Sequence, residues 1–250
     1  RFRLNAEALE EPVPGLDARD RGKLLHSLMK FLWTDLKGSE GLQKDVEAAI
    51  ARAADAAVKE LELEGRFAEL ERARLSRLAR EWLEVEKKRK PFQIQFLEHK
   101  QEISVAGLQL SGRIDRMDRV GKDHVLIDYK TGNPSPKLWE GPRPEDPQLT
   151  LYAVSEKEKL AAVAFARLKT GEMRFTGFSR DKDVLPQVNQ AKSWPDLLAS
   201  WKKEAEALAN GFASGDARVD PKNDLKTCRL CDLQTLCRVY EKYSVIGEDD

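Results

Sequence analysis

The chain has 250 residues and 41% hydrophobic content, enough to bury a core in one large domain or in one domain with a helical elaboration. Lys and Arg number 43, as do Asp and Glu, so the net charge is zero; this argues against a nucleic-acid binder held by bulk charge, although a local patch can hide in the balance. No apolar run is long enough to cross a membrane, no Gly-x-x-x-x-Gly-Lys-Ser/Thr loop supports ATP hydrolysis, and three scattered histidines offer no Ser/His/Asp arrangement.

Taken in order, residues from about Asp17 to Lys90 read as helical. The first helix contains Leu24-Leu25-His26-Ser27-Leu28-Met29, with Gly22 one turn before His26 leaving room beside it. From this stretch alone His26 is a structural residue, though imidazole suits Mn²⁺ better than Mg²⁺ if it reaches an ion. Further on, Phe67, Leu70, Arg74, Leu78, Trp82 and Val85 recur at three- and four-residue spacings and predict one apolar stripe, which Pro91 ends. Lys87-Lys88-Arg89-Lys90, Arg113, Arg116 and Arg119 are candidates for a basic patch, or equally a solvated helix end and strand edges.

Three antiparallel strands are expected from Phe92 to Lys130, turning near Gly107 and Gly121. In the first, Phe92, Ile94 and Phe96 alternate as an apolar face, and Glu98 falls on the same parity. A carboxylate there marks either a functional position or the end of the strand at Leu97. The second strand carries Gly112-Arg113-Ile114-Asp115-Arg116-Met117-Asp118 and the third Val125-Leu126-Ile127-Asp128-Tyr129-Lys130. Side chains alternate along a strand, so Asp128 and Lys130 share a face, and a hairpin near Gly121 can bring Asp115 beside Asp128. A divalent cation and a phosphate would partner these charges; so would a plain Asp/Lys ion pair.

Asn133 to Pro147 holds five prolines and reads as an irregular loop over the site. A helix carrying Gln148 and Tyr152 follows, then strands Leu160 to Lys169 and Glu172 to Ser179, and a closing helix from Leu197 to Phe212. All three cysteines, Cys228, Cys231 and Cys237, lie within ten residues, which argues for a shared ligand. Three thiolates leave a tetrahedral metal or an iron–sulfur cluster one ligand short, and zinc or three reduced thiols are the alternatives. The chain starts without Met in what reads as a helix, so it is expected to be a fragment. With no secretory signal, a cytoplasmic location is expected.

Gly112-Arg113-Ile114-Asp115-Arg116-Met117-Asp118, then Asp128-Tyr129-Lys130-Thr131-Gly132, then Gln148-Leu149-Thr150-Leu151-Tyr152, preceded by Arg21-Gly22-Lys23-Leu24-Leu25-His26, form an ordered set. On these motifs the chain resembles the RecB/AddB-type nuclease domain of the PD-(D/E)XK superfamily. The resemblance implies an α/β, restriction-endonuclease-like core, with a central mixed sheet of about five strands flanked by helices. Residues 1–90 would be a helical part carrying the first motif, 91–215 the nuclease core and 216–250 a C-terminal cysteine segment, all in one structural domain.

By the same resemblance, His26, Glu98, Asp115, Asp128 and the backbone carbonyl of Ile127 would surround one or two Mg²⁺ or Mn²⁺ ions. Asp115, Asp128, Glu98 and Lys130 would be catalytic, with Lys130 positioning the water and the scissile phosphate. Gln148 and Tyr152 would line the DNA path, and Arg113 and Arg116 stand beside it as candidate DNA contacts. Cys228, Cys231 and Cys237 match three ligands of the 4Fe-4S cluster of the AddB-like branch, the fourth cysteine being expected upstream of Arg1. The implied activity is metal-dependent hydrolysis of DNA by an exonuclease or end-processing module of double-strand-break repair. Its partners would be DNA and helicase domains of the same parent chain or of a partner subunit, with no membrane. The other class is a catalytically inactive DNA-binding or scaffolding module.

Overall fold

A computed structural model describes residues 15–156, 159–229, 231 and 234–238. Residues Leu16–Ala209 form one compact unit and those from Asn210 onward belong to a second. The first unit opens with helices α1 (Ala18–Leu36), α2 (Val46–Glu60) and α3 (Gly65–Glu86). Asp17 caps α1 by accepting from the Asp20 amide, and Asp45 caps α2 in the same way from Glu47.

Strands β1 (Gln93–Val105), β2 (Leu108–Val120) and β3 (Asp123–Lys130) follow, then α4 (Gln148–Ser155), β4 (Leu160–Arg167), β5 (Arg174–Ser179), β6 (Asn189–Gln190) and α5 (Trp194–Ala213). The mixed sheet runs in sequence order, β1 to β6, with β3–β4 and β5–β6 parallel and the other pairs antiparallel. The sixth strand, only two residues long, is one more than expected. Both hairpins use two-residue loops: Ala106 and Gly107 both have positive φ, 46° and 86°, and Gly121 has φ 63°.

Two cores lie on the two faces of the sheet. Val125, Ile127, Tyr129, Ala162 and Ala164 pack under α1, α2 and α3, whereas Leu126, Met117, Val163 and Phe165 pack under Trp139, α4 and α5. Because β3 and β4 are covered on both sides, their apolar runs are continuous.

The stripe expected on α3 is rotated. Leu78 and Trp82 are buried as predicted, but Phe67 and Leu70 are exposed, and Ala68, Leu75, Ala79, Leu83 and Glu86 complete the inner face. Small alanines let α3 lie close to α2, a fit that a hydrophobicity pattern alone does not reveal. In the second unit, short helices α6 (Asp224–Cys228) and α7 (Gln234–Cys237) end on Cys228 and Cys237, with Cys231 between them. No helix among the described residues is long and apolar enough to cross a membrane.

Candidate metal centre

The site lies where β2 and β3 part. Their ladder ends at Arg116 opposite Ile127, while β3 continues beside β4 as far as Lys130 opposite Arg167. Past the fork the Tyr129 amide has no β2 carbonyl to meet, and it donates instead to Asp115 Oδ2 at 2.9 Å. The other oxygen, Asp115 Oδ1, lies 3.4 Å from His26 Nδ1 of α1. Glu98 Oε1 of β1 lies 3.5 Å from the same nitrogen. The opposite ring nitrogen, Nε2, stands 3.2 Å from the Tyr129 carbonyl and donates to it, which fixes the ring. His26, Glu98 and Asp115 each offer a ligand atom within 4.8 Å of the others, the one such group of His, Cys, Asp and Glu among the described residues.

Glu98 gets there by an irregular route. The register of β1 against β2 shifts between Ile94 and Phe96, so an extra residue enters the strand. Phe96 therefore turns outward, 36% exposed, against the expected alternation, and Leu97 packs on the core. Glu98 itself has φ 47°, a left-handed conformation that a non-glycine residue adopts only at a cost on the order of 1–3 kcal/mol. The strand thus carries strain at the residue that faces His26.

On the other side of Tyr129, Lys130 Nζ lies 2.9 Å from Asp128 Oδ2 and 3.4 Å from Asp146 Oδ2, the latter in the loop before α4. The Lys130–Asp128 contact is an ion pair, and the buried Asp128 Oδ2 has no further hydrogen-bond partner among the described residues. Burial, together with the charge of Asp115, pushes the Asp128 carboxyl up to about 7, against the pull of Lys130. Burial works against a charged His26, yet hydrogen bonds and charge from Asp115 and Glu98 prevail and push it up to about 10. Burial likewise resists the Glu98 charge, and His26 and Arg113 hold its carboxyl below the ordinary value. Lys130 is raised: burial opposes its charge, but Asp128 and Asp146 win. The carboxylates of the site thus pair with its own cations, His26 lying between Asp115 and Glu98 and Lys130 beside Asp128.

Hard carboxylate oxygens around one imidazole, beside a buried carboxylate paired only with the Lys130 ammonium among the described residues, make a donor set that fits Mg²⁺ or Mn²⁺. Asp128 stands beside the triad and engages Lys130 in place of His26. The carbonyl set against His26 is that of Tyr129; Ile127, whose carbonyl was expected beside the ion, is fully buried, in register with Arg116 and Ala164 in the ladders. The reading by sequence missed Tyr129 and Asp146. The x of Asp-x-Lys necessarily has its backbone between the two side chains, so Tyr129 could have been found; nothing marks Asp146.

Of the residues expected on the DNA path, Arg116 does not reach it. Its side chain is 0% exposed, held by Glu86 of α3 and Asp118 and stacked on Trp33 of α1. Arg89, in the candidate basic run, is buried in the same cluster. Tyr152 is only 4% exposed; its hydroxyl accepts from the Arg113 amide at 2.7 Å and donates to the Arg113 carbonyl at 2.9 Å. Gln148, half-buried, donates to that hydroxyl at 3.3 Å. These two brace β2 from α4. Arg113 alone keeps an open side chain, 58% exposed, with Nη1 3.4 Å from Glu98 Oε2.

A cleft of about 690 Å³ runs from this point along α1. Arg19, Lys23, Lys30 and Arg113 line it together with His26 and Glu98. In the second unit, Cys228 is buried, Cys231 exposed and Cys237 half-buried.

A mixed sheet between helical layers, with a carboxylate–imidazole group and an Asp-x-Lys pair at the fork of its central strands, defines an α/β core of the restriction-endonuclease kind. A family model described as the PD-(D/E)XK nuclease superfamily matches residues 1–238, and the chain belongs to that superfamily. Nucleases of this superfamily hydrolyse phosphodiester bonds with divalent metal ions. A search of curated proteins found no match.

Proposed function

We propose that this chain is a Mg²⁺- or Mn²⁺-dependent deoxyribonuclease. The observation that carries this reading is the convergence of His26, Glu98 and Asp115 from three different elements on one point beside Asp128 and Lys130. His26, Glu98, Asp115 and, with Lys130 drawn off it, Asp128 would hold the ion. When bound, a divalent ion activates water and neutralises charge on the phosphoryl oxygens.

The chain's own residues do the rest. Lys130 keeps its proton at neutral pH, since Asp128 and Asp146 raise it, so it acts as a cation toward the scissile phosphate and not as a base. Arg113, open to the cleft and close to Glu98, is placed to take a phosphate oxygen. Tyr152 and Gln148 hold the Arg113 backbone so that this side chain meets the strand at a fixed depth. Arg19, Lys23 and Lys30 extend the cationic lining along α1 for the neighbouring phosphates.

We further propose a role in processing DNA ends during double-strand-break repair, beside helicase domains of the same protein or of a partner subunit. The ordered motifs support it, and so does zero net charge, which suits a module whose DNA is held by its neighbours. The spacing of Cys228, Cys231 and Cys237 supports an iron–sulfur cluster completed by a fourth ligand; iron and sulfide analysis of anaerobically prepared protein tests that separately.

The test of the enzyme is digestion of linear single- and double-stranded DNA with Mg²⁺ or Mn²⁺, beside Asp128→Ala and Lys130→Ala proteins. Cleavage by the wild type alone supports it. Folded wild type that cuts no faster than either variant defeats it.

A further inference from the structure

Behind the fork, on the face away from Asp128, four charged side chains are wholly removed from water. Arg89 Nη1 lies 2.6 Å from Glu86 Oε2, and Arg89 Nη2 lies 2.7 Å from Asp118 Oδ2. Arg116 Nη1 lies 2.6 Å from Glu86 Oε1, and Arg116 Nε lies 2.6 Å from Asp118 Oδ1. All four side chains are 0% exposed, and two cations against two anions close a neutral ring. Such a ring is poor value as a source of stability, since apolar residues of the same volume commonly do as well. What it supplies is directional, short contacts that hold at one geometry only.

The ring joins the end of α3 to β2, the strand that carries Asp115, and meets α1 and β3 through Trp33 and Tyr129. Glu86 ends α3, and Arg116 and Asp118 are on β2 with Asp115. The Arg116 guanidinium stacks 4.0 Å from the ring of Trp33, two turns along α1 from His26. Arg116 Nη1 also donates to the Tyr129 hydroxyl at 3.1 Å. Tyr129 then has every polar group engaged: hydroxyl to the ring, amide to Asp115 and carbonyl to His26. Its amide and carbonyl thereby touch two of the three grouped ligands.

We propose that Glu86, Arg89, Arg116 and Asp118, acting through the Tyr129 hydroxyl, are positioning residues that set the spacing of His26 and Asp115 for the ion. This rests on the metal reading above. Loss of an outer hydrogen-bond partner of this kind weakens metal binding by about 10- to 100-fold.

The experiment compares wild type, Tyr129→Phe, Glu86→Gln and Leu75→Ala, the last a core change elsewhere in α3. Mn²⁺ affinity is read by electron paramagnetic resonance, Tyr129 amide exchange by NMR in metal-free protein, and kcat and KM on DNA. Tyr129→Phe and Glu86→Gln are expected to lose about tenfold or more in Mn²⁺ affinity. Their Tyr129 amide should exchange faster, and kcat should fall with KM little changed. Leu75→Ala should lower Tm yet bind Mn²⁺ as wild type does. Equal Mn²⁺ loss in Leu75→Ala and Tyr129→Phe, or unchanged amide exchange in Tyr129→Phe, overturns the proposal. Wild type that binds no Mn²⁺ overturns the metal reading instead, so the two failures are distinguishable.

Discussion

Tyr129 gives its backbone N–H to Oδ2 of Asp115, 2.9 Å away, so a side chain completes the ladder that the β2 backbone leaves open. One oxygen of Asp115 is thereby structural, and the other, 3.4 Å from His26, is available to a cation. Asp115→Asn keeps a carbonyl oxygen for Tyr129 and removes the charge. It should fold with a Tm close to that of wild type, yet lose most Mn²⁺ affinity and DNA cleavage. Asp115→Ala should in addition cost about 1–3 kcal/mol in urea unfolding, because a buried amide is left without an acceptor. Equal stabilities of the two variants would refute the structural half of this assignment.

Asp128 makes the metal-free protein sensitive to pH in a definite direction. Its folded carboxyl is raised to about 7 from an ordinary value of 3.8 by burial and by Asp115. A raised group contributes stability that is full below its unfolded pKa and is lost as pH rises through its folded one. Between pH 4 and 8, metal-free wild type should therefore lose stability relative to Asp128→Asn, which carries no charge there. Thermal unfolding in a chelator should show the variant gaining on wild type through that window. A constant difference would mean that Asp128 is charged throughout.

Loading the ion should expel a proton. His26 is raised to about 10 by Asp115 and Glu98 against the effect of burial, so near pH 7 it is an imidazolium bound to the same two carboxylates that a metal needs. Coordination requires the neutral ring, so binding of Mn²⁺ should release about one proton and strengthen up to tenfold per pH unit. Calorimetry in buffers of different ionisation heat measures this, and His26→Ala should reduce the buffer dependence to the share that Asp128, raised to about 7, releases. No buffer dependence in wild type would show that His26 stays protonated and outside the coordination sphere.

The sequence made the strands of the site legible because their signals are local. Asp128-Tyr129-Lys130 ends an apolar run after a two-residue turn, and alternation does put Asp128 and Lys130 together. It failed where geometry is set by neighbours. The residue added to β1 before Phe96 and the left-handed Glu98 are invisible to a period-two pattern, although the carboxylate itself was found. Arg116, expected as a DNA contact in a local basic patch, is buried instead. Its burial depends on Glu86 thirty residues earlier and on Trp33, and no local pattern links those positions.

Gly112 and Tyr152 show how the spacing of two motifs can encode one contact. A Cβ at Gly112 would lie 2.5 Å from Cε1 and 2.7 Å from the hydroxyl of Tyr152, so the ring crosses β2 only because residue 112 has no side chain. From there it holds both polar groups of the Arg113 backbone. Gly112→Ala should cost about 1–3 kcal/mol by overpacking. All the nearest atoms are those of Tyr152, so Gly112→Ala/Tyr152→Ala should be less destabilised than the sum of its single changes, a coupling that a double-mutant cycle in urea resolves. On DNA, Arg113→Ala should lower the slope of log affinity against log salt by about one. Tyr152→Phe, which leaves Arg113 in place but unbraced, should weaken binding with a smaller change of slope. Additive stabilities in the cycle would mean that the ring is not held by the gap at Gly112. An unchanged salt slope in Arg113→Ala would take Arg113 off the phosphate path.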